Sequence, residues 1–225
     1  MNIFFMSYKE SNAEDNWIRV KFLHKDAIRL HGITGIDSVH MLCNQLSKTD
    51  YFWTVDGDNW LLTALDYNYN SINTDLVIFK AVDPLQKKLT GLGGVKLWRK
   101  DHFVNKDMSK GDFTLNATKD KIILDKAFSE TRYNSSPFDA WKTAFRHCVK
   151  CMTVIFRSRP LAKNLDTYIA QWRNCQYINE LNANYAYLGY LDAVDYSKKF
   201  DNNIVELSKI NDYNWLENYF NAKYV

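Results

Sequence analysis

The run Tyr51-Phe-Trp-Thr-Val55 passes without a break into Asp56-Gly57-Asp58, and this junction limits what the chain can fold into. Aromatic and β-branched residues in an unbroken apolar stretch read as a buried strand. In an open α/β sheet, ligands bind in the crevice outside the carboxyl ends of the strands. Asp56 and Asp58 stand at that position, and Gly57 between them lets the backbone bend sharply and approach a ligand closely. Two hard oxygen ligands there suit Mg²⁺ or Mn²⁺ carrying a diphosphate, with the metal neutralising charge on the leaving group. The plainer reading is an Asp-Gly turn with solvated acids. The apolar strand in front of the turn favours the metal site.

The residues before this junction supply the sheet around it. Ile3-Phe-Phe-Met6 reads as a first buried strand, running into the polar loop Ser7-Tyr8-Lys9-Glu10-Ser11-Asn12. Tyr8 there could stack on a nucleobase, or the loop could simply lead into a helix with Asn12 as its N-cap. Ala13 to Leu23 has apolar positions at Ala13, Trp17 and Val20, giving a helix with one buried face. Ala27-Ile-Arg-Leu30 is a short second strand, and His31-Gly32-Ile-Thr-Gly35 offers two glycines for tight turns near the ligand edge. Ile36, Val39, His40, Cys43 and Leu46 are at helical spacing. His40 there is either a satisfied core histidine or a site residue. The order is βαβαβ, which implies a parallel sheet with right-handed crossovers. No Gly-x-Gly-x-x-Gly and no P-loop follows the first strand.

The second half is less regular. Leu76 to Val82 is a strong strand, and Gly93 and Gly94 feed another that carries Lys96. Paired glycines before a lysine suit a backbone approached by a sugar or phosphate, or mark an ordinary bulge. Asp112-Phe-Thr-Leu and Ile122-Ile-Leu124 read as strands at the edge or flank of the sheet. Ser136, Pro137 and Asp139 form a helix start: N-cap, first helical position and an acid at the positive end. That helix places Lys142, Arg146 and Lys150 on one ridge, with Arg157, Arg159 and Lys163 beyond it. The tail, Leu161 to Tyr190 and Ile204 to Tyr224, reads as helices dense in Tyr and Asn.

At 225 residues the default is one domain, with residues 1–150 as an α/β core and 151–225 as a helical cap. A net charge of +3 does not force a nucleic-acid partner. The four cysteines, Cys43, Cys148, Cys151 and Cys175, are too scattered for a disulfide framework. Cys148-Val-Lys-Cys151 lacks the second pair a zinc site needs, so reduced helix cysteines are expected. No signal peptide and no run of ~20 apolar residues is present, so the expectation is a cytoplasmic protein without a membrane partner.

A βαβαβ start closed by Asp-x-Asp resembles the nucleotide-sugar glycosyltransferases of the GT-A fold. Further blocks are Phe4-Phe-Met-Ser-Tyr-Lys-Glu10 with Asn12-Ala-Glu14 and Trp17, His31 to Gly35, Tyr51 to Asp58, Gly93 to Leu97, and Asn134 to Phe138 with Trp141 and Ala144-Phe-Arg146. Together they are similar to small glycosyltransferases of tailed bacteriophages, some of which modify 5-hydroxymethylpyrimidines in DNA, including arabinosyl transfer to hydroxymethylcytosine. The resemblance covers residues 3 to about 150 and implies a GT-A-like, mostly parallel open sheet flanked by helices, with a C-terminal helical cap. It implies a UDP-sugar donor, Mn²⁺ or Mg²⁺, and the cytoplasm of an infected bacterial host if the protein is phage-encoded.

Carried over by position, Asp58 would ligate the metal and Asp56 would touch it, the ribose or a metal-bound water. Ser7 and Tyr8 would lie against the uridine, with Gly35, His40 and Lys96 also on the donor side. Gly93 and Gly94 would line the donor sugar or acceptor. A third, histidine ligand would be His147, with His102 as the other option. An inverting transfer needs a carboxylate base, for which Asp112 and Asp139 are the options. The acceptor implied is duplex DNA carrying a hydroxymethylpyrimidine, whose target base must be flipped out. The alternatives are a glycan, lipid or protein acceptor, a nucleotidyltransferase, or a non-enzymatic DNA-binding accessory protein.

Overall fold

The structure, a computed structural model, describes residues 1–66, 68–69, 73–100, 113–153 and 165–225. The chain divides into two compact units, Met1–Arg132 and Tyr133–Val225.

The first unit begins β1 (Asn2–Ser7), α1 (Ala13–Leu23), β2 (Ile28–His31), α2 (Ile36–Leu46) and β3 (Tyr51–Asp56), the expected βαβαβ order. It continues with β4 (Asn59–Leu61), β5 (Leu76–Val82), β6 (Leu89–Arg99), α3 (Phe113–Ala117) and β7 (Lys121–Thr131). All seven strands join one sheet in the order β2-β1-β3-β6-β5-β7-β4. β1 pairs in parallel with β2 and β3, and β5 in parallel with β7. β6 runs against β3 and β5, and β4 against β7. Five strands therefore point one way, giving the mostly parallel α/β sheet flanked by helices that the sequence implied.

Both faces of the sheet are covered, which explains why its strands are apolar runs rather than alternating ones. On one face Phe5, Trp53, Val55, Phe79 and Leu97 pack with Val20 of α1. On the other, Phe4, Phe52, Ile78 and Trp98 pack with Val39 and Cys43 of α2. Each such side chain contributes roughly 1.5–3 kcal/mol by leaving water. At the outer edge, Arg19 of α1 donates from Nε to the Leu61 carbonyl (2.8 Å) and from Nη2 to that of Leu62 (3.1 Å).

Three local expectations change. The segment 113–117 is a short helix rather than a strand, because Phe113 and Ala117, one turn apart, both face the α2 side of the core. The strand at Ile122–Leu124 extends to Thr131 and lies between β5 and β4, which covers its last residues, Ser129–Thr131. Asn12 precedes α1 without capping it through its side chain; its amide instead donates to the Arg132 carbonyl at 3.0 Å.

The second unit contains α4 (Pro137–Met152), α5 (Leu165–Arg173), α6 (Ala183–Phe200), α7 (Ile204–Ser208) and α8 (Tyr213–Tyr224). Ser136 caps α4 by accepting from the Asp139 amide at 3.0 Å, with Pro137 at the first position. α4 and α6 lie so close that a Cβ on Gly189 would stand 2.3 Å from the Trp141 carbonyl oxygen. Asp192 of α6 is a buried hub, accepting from Trp141 Nε1 (2.8 Å), Lys223 Nζ (2.6 Å) and the Tyr224 hydroxyl (2.7 Å). All four cysteines are buried thiols. Among the described residues no helix is long and apolar enough to cross a membrane.

Candidate active site

The site is built where β1, β2 and β3 end. Asp56, the last residue of β3, lies beside Met6 of β1 in register. Its neighbours Phe52, Trp53 and Val55 are wholly buried, so the main chain that carries it is fixed. Phe52, Thr54 and Asp56 alternate onto the α2 side of the sheet. Thr54 accepts from Trp98 Nε1 at 2.9 Å, and Asp56 Oδ2 accepts from Lys96 Nζ at 3.0 Å. Lys96 stands opposite Thr54 on β6 and is only 4% exposed. The second oxygen of Asp56, Oδ1, is buried and has no hydrogen-bond partner.

His40 projects from α2 into the same region. Its Nδ1 lies 2.7 Å from the Ile36 carbonyl oxygen, and its ring packs against Phe113 and Trp98. Burial, helped by the Lys96 ammonium and opposed by Asp56, pushes its pKa down to about 4. It is a neutral core histidine within the electrostatic reach of the Asp56–Lys96 pair.

Beyond Asp56 the chain turns through Gly57 and Asp58. Asn16 Nδ2 donates to the Gly57 carbonyl at 2.8 Å, and the Arg132 amide donates to that of Asp58 at 2.7 Å. A Cβ on Gly57 would stand 2.6 Å from Glu10 Oε2 and 3.0 Å from the Met6 carbonyl oxygen. Glu10 is thus seated on the turn, where Oε2 also accepts from the Tyr8 amide at 2.7 Å. Asp58 Oδ1 accepts from Asn59 Nδ2 at 2.7 Å. Asn59 Oδ1 in turn accepts from the hydroxyls of Ser129 (2.7 Å) and Thr131 (3.1 Å) on β7.

The two glycines expected to line the donor or acceptor have internal neighbours. A Cβ on Gly93 would stand 2.1 Å from the Phe79 carbonyl oxygen, at the register shift between β5 and β6. A Cβ on Gly94 would meet the Asn59 amide.

At the ends of β1 and β2, Ser7 is buried with its Oγ 2.9 Å from His31 Nδ1. Arg29 Nε donates to the same oxygen at 3.1 Å, while Arg29 Nη2 pairs with Glu14 at 2.6 Å. Gly32, in a left-handed conformation, donates its amide to the Ser7 carbonyl at 3.0 Å. Tyr8 is half-buried beside this cluster in sequence, and Gly35, at φ +95°, starts α2. Sequence reasoning singled out neither Asn59 nor Arg29. Both are polar residues next to or inside strands, a pattern shared by many solvated side chains.

The remaining expected residues belong to the second unit or lie outside the described residues. Asp139 Oδ1 accepts from Lys142 Nζ at 2.6 Å, with both side chains 8% exposed, and Oδ2 accepts from Ser136 Oγ at 2.9 Å. His147 Nδ1 accepts from Trp172 Nε1 at 2.7 Å, and burial pushes its pKa down to about 4. Arg146 is spent on the Ile210 carbonyl (2.7 Å) and the Asn211 side chain (3.2 Å). Asp112, His102, Arg157, Arg159 and Lys163 lie outside the described residues.

Among the described residues no three His, Cys, Asp or Glu side chains converge on one point. The donor set nevertheless fits a hard divalent cation held in part by a substrate. Such ions use one or two carboxylates plus phosphate oxygens, and Asp56 keeps a buried oxygen without a partner.

No known protein family and no curated protein sequence matches the chain. Among solved structures, it is similar to HddC from Yersinia pseudotuberculosis at 17% identity, over 56% of this chain and 69% of that one, with a TM-score of 0.37. It is similar to A197 from STIV at 9% identity, over 55% and 82% of the chains, with a TM-score of 0.39. A glycosyltransferase involved in glycosylation of the major capsid of PBCV-1 is similar at 11% identity, over 56% and 82%, with a TM-score of 0.36.

Proposed function

We propose that this protein is a metal-dependent glycosyltransferase that moves a sugar from a UDP-sugar to an acceptor hydroxyl. The observation that carries the reading is the Asp56–Gly57–Asp58 turn at the carboxyl end of β3. There one Asp56 oxygen is buried without a partner, and Asn59 holds the Asp58 carboxylate in place. Asp58, with Asp56 beside it, would hold Mn²⁺ or Mg²⁺. When bound, the cation neutralises the charge that develops on the diphosphate leaving group. Lys96 adds a fixed positive charge to the same corner. Ser7 and Tyr8, at the end of β1, lie on the side assigned to the uridine.

The base of an inverting transfer is assigned to Asp112. Asp139 is already committed to Lys142 and to its own helix start. His147 has one ring nitrogen engaged by Trp172, so the reading does not depend on it as a ligand.

The acceptor in this reading is 5-hydroxymethylcytosine, or a related hydroxymethylpyrimidine, in duplex phage DNA, with arabinose among the sugars to test. That part rests on the sequence resemblance. The internal commitments of Lys142 and Arg146 take two cations of the α4 ridge away from any contact with a DNA backbone. They favour, as the second reading, a glycan, lipid or protein acceptor on the same donor site.

The test is incubation with a panel of UDP-sugars and Mn²⁺, with hydroxymethylcytosine DNA as acceptor, followed by mass spectrometry of the nucleosides. A sugar adduct that EDTA abolishes is expected. Hydrolysis of a UDP-sugar without any DNA adduct would move the acceptor to the second reading. No turnover of any nucleotide sugar would overturn the transferase reading.

A further inference from the structure

The Lys96 ammonium sits at the corner where a divalent cation should be attracted. It is 4% exposed, and its contact with Asp56 Oδ2 at 3.0 Å supplies the countercharge that a buried cation requires. An ammonium so placed cancels most of the attraction Asp56 offers a second cation, and adds direct repulsion. Asp58 is the other carboxylate of the turn, with one oxygen already receiving the Asn59 amide. No third ligand joins it among the described residues.

We propose that Lys96 makes cation binding at this turn conditional on a nucleoside diphosphate. This rests on the reading above that Asp56 and Asp58 hold a divalent cation. A diphosphate brings both the oxygen ligands the protein lacks and enough negative charge to outweigh the ammonium. Lys96 also attracts that diphosphate directly. Cation and nucleotide therefore enter as a pair, and each raises the affinity for the other by the same factor. Without nucleotide, the ammonium keeps the turn from collecting metal.

The experiment titrates Mn²⁺ by electron paramagnetic resonance, with and without UDP, on the wild-type chain, Lys96→Gln and Lys96→Arg. Gln keeps a hydrogen-bond donor toward Asp56 while removing the charge; Arg keeps the charge. Wild type and Lys96→Arg should bind Mn²⁺ weakly alone and at least about tenfold more tightly with UDP. Lys96→Gln should bind Mn²⁺ alone at least about tenfold more tightly than wild type, since the repulsion is gone. Mn²⁺ alone should then raise the melting temperature of Lys96→Gln but not of wild type. The proposal is overturned if Lys96→Gln binds Mn²⁺ with UDP but no more tightly than wild type without it. It is also overturned if wild type binds Mn²⁺ equally with and without UDP, a result that needs no variant to fold. Failure of all three proteins to bind Mn²⁺, with or without UDP, would instead remove the metal reading on which the proposal rests.

Discussion

The Asn59 carboxamide fills the space in front of Gly94: a Cβ on that glycine would stand 2.1 Å from Nδ2 and 2.5 Å from Cγ. The missing side chain on β6 therefore lets Asn59 reach Asp58, and the hydroxyls of Ser129 and Thr131 fix which way the amide faces. Gly94→Ala should push the amide aside and lower Mn²⁺ affinity in the presence of UDP by about 10- to 100-fold, the usual cost of losing an outer-shell partner. Gly93→Ala should behave differently, because its Cβ would collide with the Phe79 backbone oxygen. It should lose folding stability first. Calorimetric Mn²⁺ titration and urea denaturation of both variants check the contrast.

Asp56 and Asp58 should also separate. Asp58→Asn removes the anionic oxygen a hard cation needs, so metal-dependent transfer should vanish with the melting temperature nearly unchanged. Asp56→Asn strands the Lys96 ammonium without its countercharge. Losing one partner of a fully buried pair costs about 3–5 kcal/mol. The Asp56 side chain is one-third exposed, which should bring the loss toward or below the lower figure. A melting temperature that falls for Asp58→Asn and not for Asp56→Asn would contradict this assignment.

For Asp139 the expectation is structural. Asp139→Asn leaves the Lys142 ammonium buried without a partner charge and weakens the contact with Ser136. The second unit should lose on the order of 3 kcal/mol. Transfer per folded molecule should change little in single turnover at saturating donor. A hundredfold slower transfer in a variant that melts normally would restore Asp139 as the base.

Acid should destabilise the protein through two histidines. His40 and His147 titrate near 4 in the folded chain because burial disfavours their charged forms. In the unfolded chain they titrate near 6.5, so between those values the unfolded state binds more protons. Their contribution is complete above about pH 6.5 and is lost as pH falls toward 4, on the order of 3 kcal/mol each. Urea midpoints measured from pH 7.5 to 4.5 should fall, and His40→Gln or His147→Gln should flatten part of that slope. An unchanged slope in both variants would show that other groups carry the acid response.

The parts legible in the sequence were those governed by periodicity and caps. Ala13–Leu23, Ile36–Leu46 and Pro137–Met152 are helices because their apolar spacing and Ser136-Pro137 start admit little else. The place of Asp56 at a strand end followed from the apolar run before it. What pairing does over distance was not legible. Lys96 meets Asp56 only because β6 runs antiparallel to β3 in a register that sets Lys96 opposite Thr54. Asn59 reaches Gly94 only because the sheet curls its last strand back toward its centre. The partners of the basic ridge on α4 were legible only in part, since Lys142 meets Asp139 three residues before it on the same helix. Helical spacing put Lys142 and Arg146 together, but the carbonyl that absorbs Arg146 comes from Ile210, in the segment before α8.

The two hydrogen bonds from Arg19 to the Leu61 and Leu62 carbonyls have a consequence for behaviour at high concentration. A terminal strand with open main-chain acceptors is a template onto which a strand from another molecule can add. Here the guanidinium already occupies those acceptors and brings a charge to the rim. Arg19→Ala would leave catalytic side chains untouched yet uncover the rim, so the variant should form assemblies by light scattering at concentrations where the parent chain does not.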